Sequence, residues 1–309
     1  MATSNAVGLL LGPLLIGYTI GIFLFGLSSV QTYLYYQDFV NDPRLLRKLV
    51  AAVWIIDFAH QICCSHFVYS VIITSYGNVH LFDGLSPPGS VPAVIVLSTL
   101  SVGLVLAFYN YRIWIARGQW VTSIILFALL LVRIICGFIA AGYTANATSI
   151  AFSVNNYKWF ATAAYIVGAV EDVIMTVALA HDWSTLRRSE VYKSARLIDR
   201  VVIWLVGTGI ITSIMAIALV ISFALKAQEN LLWTVFNLPM PGFFANSLLV
   251  TLNARSTFNI AETTQTINVV SQFHAALSDP EKSASGVAVE VVVVSDTAKQ
   301  EVKDQNLSK

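Results

Sequence analysis

Five ionisable side chains lie inside long apolar runs of the sequence, and their types could support chemistry. They are Asp57, His60, Arg133, Glu171 and Asp172. A charge at the centre of a bilayer costs roughly 2.5–3.5 kcal/mol on insertion scales, so we expect these groups to face the interior of a helix bundle and to pair. We interpret them as a polar site near mid-depth that binds a ligand, a proton or an ion. The architectural alternative is a buried polar network that fixes the register of the helices.

The charges of this set do not balance. Arg133 supplies one positive charge, whereas Asp57, Glu171 and Asp172 supply three negative charges if all of them ionise. A protonated carboxyl, a charged His60 or a bound cation would each reduce the surplus. Glu171 and Asp172 are adjacent and point about 100° apart on a helix of 3.6 residues per turn, so we expect only one of them to meet Arg133.

The sequence contains no recognisable motif for catalysis or for binding a metal or cofactor. Asp57, His60 and Cys64 share one helix face, but no second apolar run offers the His or Cys ligands that would complete a metal site. A nucleophile–base pair, a phosphate-binding loop and the HExxH motif are also missing. We therefore predict no catalytic residue, no metal, no cofactor and no enzymatic activity.

The composition is that of a membrane protein. Hydrophobic residues make up 57% of the 309 residues and charged residues only 11%, whereas soluble domains usually carry about 25% charged residues. The formal net charge is +1 and no basic block is present, so we predict no nucleic-acid partner. We predict that the protein contacts the lipid bilayer, in the plasma membrane or in a membrane of the secretory pathway.

Seven apolar runs are long enough to cross a bilayer, because a membrane helix needs about 20 residues. The predicted spans are residues 7–35, 49–74, 91–115, 120–142, 159–181, 201–225 and 231–252. The predicted fold is therefore an all-α membrane protein with a seven-transmembrane-helix bundle over residues 7–255. Residues 1–6 would form a short extracellular amino terminus. Residues 256–309 are rich in Ser, Thr, Asn, Gln and Lys and would form a mostly disordered cytosolic tail.

The Lys and Arg residues of the loops predict the orientation. Most of them lie in the first, third and fifth loops and after the last span: Arg44, Arg47, Lys48, Arg112, Arg117, Arg187, Arg188, Lys193, Arg196, Arg200 and Arg255. The opposite side has only Lys158 and Lys226. We therefore expect the amino terminus outside and the carboxyl terminus in the cytosol, where loop five and the tail could meet a protein partner. A glycosylation sequon begins at Asn146, in loop four on the predicted outer side.

Several local strings resemble a known family. They include residues 12–17 (GPLLIG), residues 31–36 (QTYLYY) and residues 246–255 (NSLLVTLNAR). The last string is the most specific, and its motif positions include Asn246, Ser247, Asn253 and Arg255. From about Gly12 to Arg255 the chain resembles a fungal, largely basidiomycete, family of seven-helix membrane proteins of unknown function. The resemblance implies an integral membrane protein, without an established activity or catalytic residues.

Two functions rank highest for this topology, above a membrane enzyme that would use Asp57 and His60 as an acid/base pair. A receptor-like sensor fits the spans and the basic fifth loop, although an acidic residue beside Arg112 and an NPxxY string are missing. A transporter or channel for a small solute or ion fits the charges at mid-depth, but spans one to three do not match spans five to seven as repeats would. A retinal pump is excluded because residues 231–252 contain no Lys for a Schiff base. We rank the receptor-like sensor slightly above the transporter.

Overall fold

The computed structural model describes residues 2–74, 87–117, 120–187, 196–226 and 230–255, and the regular elements in these ranges are all helices. The helices are α1 (Ala2–Asp38), α2 (Arg44–Tyr69), α3 (Ser90–Arg117), α4 (Trp120–Ala145), α5 (Ile150–Arg187), α6 (Arg196–Lys226), the short α7 (Thr234–Asn237) and α8 (residues 240–255). A π-helical turn, Ser70–Thr74, extends α2. The predicted tail, residues 256–309, and part of loop five, residues 188–195, lie outside the described residues.

Six helical stretches are long and apolar enough to cross a membrane. They are Leu11–Asp38, Arg44–Thr74, Ser90–Ile115, Trp120–Ala145, Lys158–His181 and Thr234–Arg255. The sixth predicted span falls in α6, where the apolar stretch among the described residues, Gly209–Leu225, is shorter. The chain is therefore a multi-pass helical membrane protein, as its composition predicted. The count of seven spans and the direction of insertion remain predictions.

The outward surface of the bundle suits contact with lipid. On α4, Ile124, Phe127 and Ile135 are each more than half exposed, whereas Leu126 and Leu130 are buried. Large contiguous apolar surfaces of this kind mark membrane or protein contacts, because water solvates them poorly. The bilayer prediction is confirmed to this extent.

The last membrane stretch is the most enclosed part of the bundle. In Thr234–Arg255, 72% of the most apolar window is buried, against 17–33% in the other five stretches. From α1 to α6, each helix packs on the next in chain order, and both α1 and α6 contact α7. Because the last stretch is so enclosed, polar residues of α8 must find their partners inside the bundle.

Two prolines interrupt this last stretch. Pro239 and Pro241 have no N–H, so the carbonyls of Val235 and Asn237 lose their usual donors four residues on. The chain accordingly forms α7, a turn at residues 238–239 and then α8. The predicted span over residues 231–252 therefore falls on a qualifying stretch, Thr234–Arg255, which has a turn at residues 238–239 that the apolar pattern did not predict.

The fifth loop is also shorter than the sequence predicted. The polar stretch between spans five and six, residues 182–200, was expected to be a loop. Instead α5 continues to Arg187 and α6 begins at Arg196. Leu, Arg and Ala favour helix even outside the apolar core, which extends both helices beyond their membrane segments.

Glycines bring α1 close to its neighbours. A Cβ atom at Gly17 would lie 2.5 Å from the carbonyl oxygen of Thr234, and one at Gly21 would lie 3.4 Å from the Gln61 amide. Glycines four residues apart allow helix backbones to approach closely. This pair therefore packs within the chain, against the start of α7 and against α2.

Candidate functional site

Arg133 on α4 binds two carboxylates of α5. Its Nη1 atom donates to Asp172 Oδ1 at 2.8 Å and to Glu171 Oε2 at 3.3 Å. Glu171 and Asp172 are 0% and 2% exposed, whereas the Arg133 side chain keeps 19% of its surface accessible. The prediction that only one carboxylate meets Arg133 is therefore wrong. We call these three residues the Arg133 layer.

A glycine explains the double contact. A Cβ atom at Gly168, one turn before the carboxylates, would lie 3.3 Å from Arg133 Cζ. The Gly168 carbonyl oxygen also lies 3.5 Å from Arg133 Nη1, and the Phe244 ring of α8 lies 5.8 Å from Cζ. Because no side chain intervenes at Gly168, the guanidinium lies against the α5 backbone. One nitrogen can therefore reach two side chains that diverge by about 100°.

The Arg133 layer has a surplus of negative charge if both carboxylates ionise. One guanidinium faces two carboxylates, and the other oxygens, Glu171 Oε1 and Asp172 Oδ2, are buried without a hydrogen-bond partner in the part of the chain that is described. An ionised carboxylate that is buried and incompletely paired costs several kcal/mol. A proton, a cation or a ligand group beside these oxygens would therefore stabilise the layer.

Asp57 and His60 form a separate cluster on α2. They are 0% and 1% exposed, and Cys64 Sγ lies 3.7 Å from His60 Nε2. The Ser28 hydroxyl of α1 lies beside the Asp57 carboxylate and donates to the Phe25 carbonyl oxygen of its own helix at 3.0 Å. Among the described residues, no ion pair or hydrogen bond joins this cluster to Arg133. The structure thus divides the five predicted site residues into two groups.

Three cavities lie in a row along the bundle. The first, of about 110 Å³, lies near the start of α3 and α5. Its aromatic lining comprises Phe67, Tyr143, Phe160, Tyr165, Phe223 and Trp233. The second, of about 130 Å³, lies deeper and reaches Arg133. The third, of about 20 Å³, is bounded by Asp172.

The order of the cavities can be followed on each helix. On α3 the lining residues fall at 91–95, then 95–102, then 106–109, and on α5 at 160–165, then 161–169, then 172–179. The first two cavities share Ile95 and Tyr165, so they adjoin. Arg133 lines the second cavity and Asp172 the third. The Arg133–Asp172 ion pair therefore lies between them.

The motif of residues 246–255 joins α8 to α1. Asn246 Nδ2 donates to the carbonyl oxygens of Leu24 and Gly242, both at 2.8 Å. Its Oδ1 atom accepts from Gln31 Nε2 at 3.2 Å. Asn253 Nδ2 donates to the Gln31 carbonyl oxygen at 2.8 Å. Polar side chains of α8 thus satisfy backbone groups of the helix beside it.

Arg255 ends this contact next to the loop between α1 and α2. Its Nη2 atom lies 2.6 Å from Asp42 Oδ2, which also accepts from the Tyr35 hydroxyl at 2.9 Å, and its Cζ atom lies 4.5 Å from the Phe39 ring centroid. Burial alone would raise the pKa of Asp42, but the hydrogen bonds from Arg255 and Tyr35 outweigh it and lower the pKa. We call the five residues Gln31, Asp42, Asn246, Asn253 and Arg255 the α1–α8 seam.

The remaining predicted positions have separate surroundings. Ser247 on α8 forms a hydrogen bond with the Tyr109 hydroxyl of α3 at 2.9 Å, beside the third cavity. Asn146 lies one residue after α4, is exposed, and donates its side-chain amide to the Gly142 carbonyl oxygen at 2.8 Å, so glycosylation there stays a prediction. In the described ranges, no three His, Cys, Asp or Glu side chains are grouped to hold a metal ion.

Sequence reasoning missed several residues of the cavities. Tyr165, Asn237 and Thr99 line the second cavity, and Thr176 and Thr212 line the third. They are single uncharged polar residues within apolar helices, so nothing in the sequence distinguishes them from ordinary helix residues. For Asn237 there was one signal, because it precedes the two prolines that interrupt the last membrane stretch.

One family model matches part of the chain. It is described as a family of unknown function (DUF6534) and matches residues 168–257. The matched stretch includes Glu171, Asp172 and the whole string 246–255, so it agrees with the expected resemblance to a family of unknown function over a shorter range. No curated protein and no solved structure matches the chain.

Proposed function

We propose that this protein is a receptor-like membrane sensor whose small ligand binds in the second cavity against Arg133. The observation that carries the proposal is the row of cavities that leads from one end of the bundle to the Arg133 layer. Small-molecule sites are usually concave and mostly apolar, with a few convergent polar groups that fix the ligand. The second cavity has this character, with Arg133 at one end.

The lining of the second cavity indicates the chemistry of the ligand. All described hydrogen bonds of Arg133 use Nη1, and 19% of its side chain stays accessible, so its other nitrogens can donate to a ligand carbonyl or hydroxyl. Ser98, Tyr165 and Asn237 add polar groups. A dry cavity of about 150 Å³ admits benzene, so we expect an acceptor-bearing ligand of about one ring.

Binding at Arg133 could reach the other end of the bundle through α5. A ligand acceptor would compete for the guanidinium that now binds Glu171 and Asp172, and the carboxyl end of α5 leads into basic loop five. The Lys and Arg bias supports an arrangement of seven spans, with the open end of the cavities outside and loop five in the cytosol. A cytosolic partner at loop five or the tail would then bind differently to the free and the ligand-bound protein.

A thermal-shift screen of the purified protein tests the ligand site. Ala164 lines the second cavity, whereas the adjacent Ala163 is exposed. We expect small acceptor-bearing ring compounds to raise the unfolding temperature of the wild type and of Ala163→Leu, but not of Ala164→Leu, whose added side chain fills the cavity. An equal response of both variants would place binding elsewhere. A wild type that responds to no compound in a broad screen would contradict the proposal.

A second test separates sensing from binding alone. The protein with a bound compound should show altered protease accessibility of loop five compared with the free protein. Unchanged accessibility and unchanged partner binding across all binding compounds would argue against a sensor.

A transporter is the second candidate, and one observation favours it. The Arg133–Asp172 ion pair lies between two cavities on the same axis, so opening the pair would join them. Uptake into liposomes by the wild type, lost in Arg133→Leu, would support this candidate. Uptake that does not respond to Arg133→Leu would argue against it.

A further inference from the structure

We infer that a small monovalent cation such as Na⁺ binds in the third cavity, beside Asp172. This cavity lies between α3, α5, α6 and α8. The inference concerns a different space from the proposed ligand cavity and requires no organic ligand. Either proposal can therefore fail while the other stands.

Asp172 supplies the anionic group of the site. It is 2% exposed, and its Oδ1 atom accepts from Arg133 at 2.8 Å. Its Oδ2 atom is buried and has no hydrogen-bond partner within the described ranges. The cavity bounded by this residue has a volume of about 20 Å³. A space of about 10–15 Å³ already holds one water molecule, so one water or one dehydrated ion fits.

Hydroxyl groups form much of the remaining polar wall. Tyr109, Thr176, Thr212 and Ser247 all line the cavity. The Thr176 and Thr212 hydroxyls donate to backbone carbonyls of their own helices, at 2.8 and 3.0 Å. A hydroxyl that has already donated its proton still offers lone pairs. Residues that line the cavity therefore carry oxygens with free acceptor capacity, which is what a hard cation requires.

The charge of the Arg133 layer sets the charge of the ion. Asp172 and Glu171 oppose one Arg133, which leaves one surplus negative charge if both carboxylates ionise. His60 belongs to the α2 cluster and cannot neutralise that surplus, so a proton or a cation must. A monovalent ion brings the layer to neutrality, whereas a divalent ion would leave a positive charge within the apolar bundle, at a high energetic cost.

The test compares the unfolding temperature of the full-length protein in detergent with NaCl or with equal concentrations of N-methylglucamine chloride. A cation that binds only the folded protein should raise this temperature by about 3–6 °C at ten times its Kd. We expect Asp172→Asn to abolish the rise. Thr176→Val should increase the half-effective NaCl concentration by about tenfold, since it removes one oxygen ligand.

Thr162→Val is the matched control. Thr162 is also buried on α5 and also donates to the carbonyl four residues before it, but it is not among the residues that line the third cavity. The response of Thr162→Val to NaCl should equal that of the wild type. The comparison of Thr162→Val with Thr176→Val tests the site even if Asp172→Asn does not fold. Equal unfolding temperatures in the two salts would overturn the inference. So would a NaCl response that Thr176→Val leaves unchanged, or a stability that follows pH but not Na⁺, which would assign the surplus charge to a proton.

Discussion

The α1–α8 seam and the Arg133 layer both place an arginine against carboxylate, but they differ in charge balance and in depth, since the Arg255–Asp42 pair lies beside a loop and the layer lies inside the bundle. In the seam, one Arg255 meets one Asp42, and amide groups of α8 donate to carbonyls of α1, while the neutral Gln31 Oε1 atom is buried without a hydrogen-bond partner among the described residues. In the layer, one Arg133 meets two carboxylates, and Asp172, whose Oδ2 atom is buried without a partner in the same residues, lines the third cavity. Ion pairs of balanced charge hold helices together, whereas surplus negative charge next to a cavity favours the binding of a cation or ligand. Unbalanced buried charge beside a cavity is thus a better indicator of a site than a charged pair or an unused acceptor alone.

The largest expected effect comes from removing the only guanidinium of the layer. Arg133→Leu leaves two buried carboxylates without a counter-charge, so we expect a loss of about 3–5 kcal/mol in the free energy of unfolding. Chemical denaturation of the purified protein in detergent measures it. The control is the triple variant Arg133→Leu/Glu171→Gln/Asp172→Asn, which removes all three charges and should recover most of the loss. A single variant as stable as the wild type would show that the layer is not an interacting unit.

A smaller effect is expected where α1 approaches α7. Gly17→Ala places a Cβ atom 2.5 Å from the Thr234 carbonyl oxygen, so the helices must separate, and we expect a loss of about 1–3 kcal/mol. Gly26→Ala is the control, because nothing lies within 4 Å of a Cβ atom there. The same denaturation experiment compares the two variants. Equal stabilities of the two variants would mean that the packing of α1 on α7 contributes little to the free energy of unfolding, compared with the α1–α8 seam.

The smallest expected effect concerns the charged end of the seam, and it depends on pH. The Arg255 side chain is 38% exposed, so Asp42→Asn should cost no more than about 1 kcal/mol at neutral pH. The pKa of Asp42 is lowered in the folded protein from its ordinary value of 3.8. Its contribution is therefore complete above that value and is lost as the pH falls through the folded pKa. The stability difference between wild type and variant should shrink at acid pH. A difference that stays constant with pH would exclude this carboxylate as its source.

The sequence predicted which polar residues face inward but not which of them meet. All five intramembrane groups lie inside the bundle, because apolar helices turn charges away from lipid. Spacing within one helix identifies a face, but it does not measure the distance between helices. The separation of Asp57 from Arg133 could therefore not be predicted. The double contact at Arg133 depends on the missing side chain of Gly168, which a charge count ignores.

The membrane segments were easier to predict than their interruptions. Apolar length alone locates six of the predicted spans on stretches that qualify by length and composition. The break in the last stretch was visible in Pro239 and Pro241, but a count of apolar residues treats proline as one more position. The cavities could not be predicted, because they arise from side chains of seven helices that share no sequence pattern.

The α1–α8 seam also has a consequence for biosynthesis. Asn246 and Asn253 each bond a residue 222 positions earlier in the chain. At about 5–20 residues per second, a ribosome needs on the order of 10–40 s to synthesise that interval. During this time α1 resides in the membrane before its final partner exists. The contacts between α1 and α8 can therefore form only after residue 253 has been synthesised, and nascent chains truncated before residue 246 would leave α1 available to chaperones and quality-control proteases.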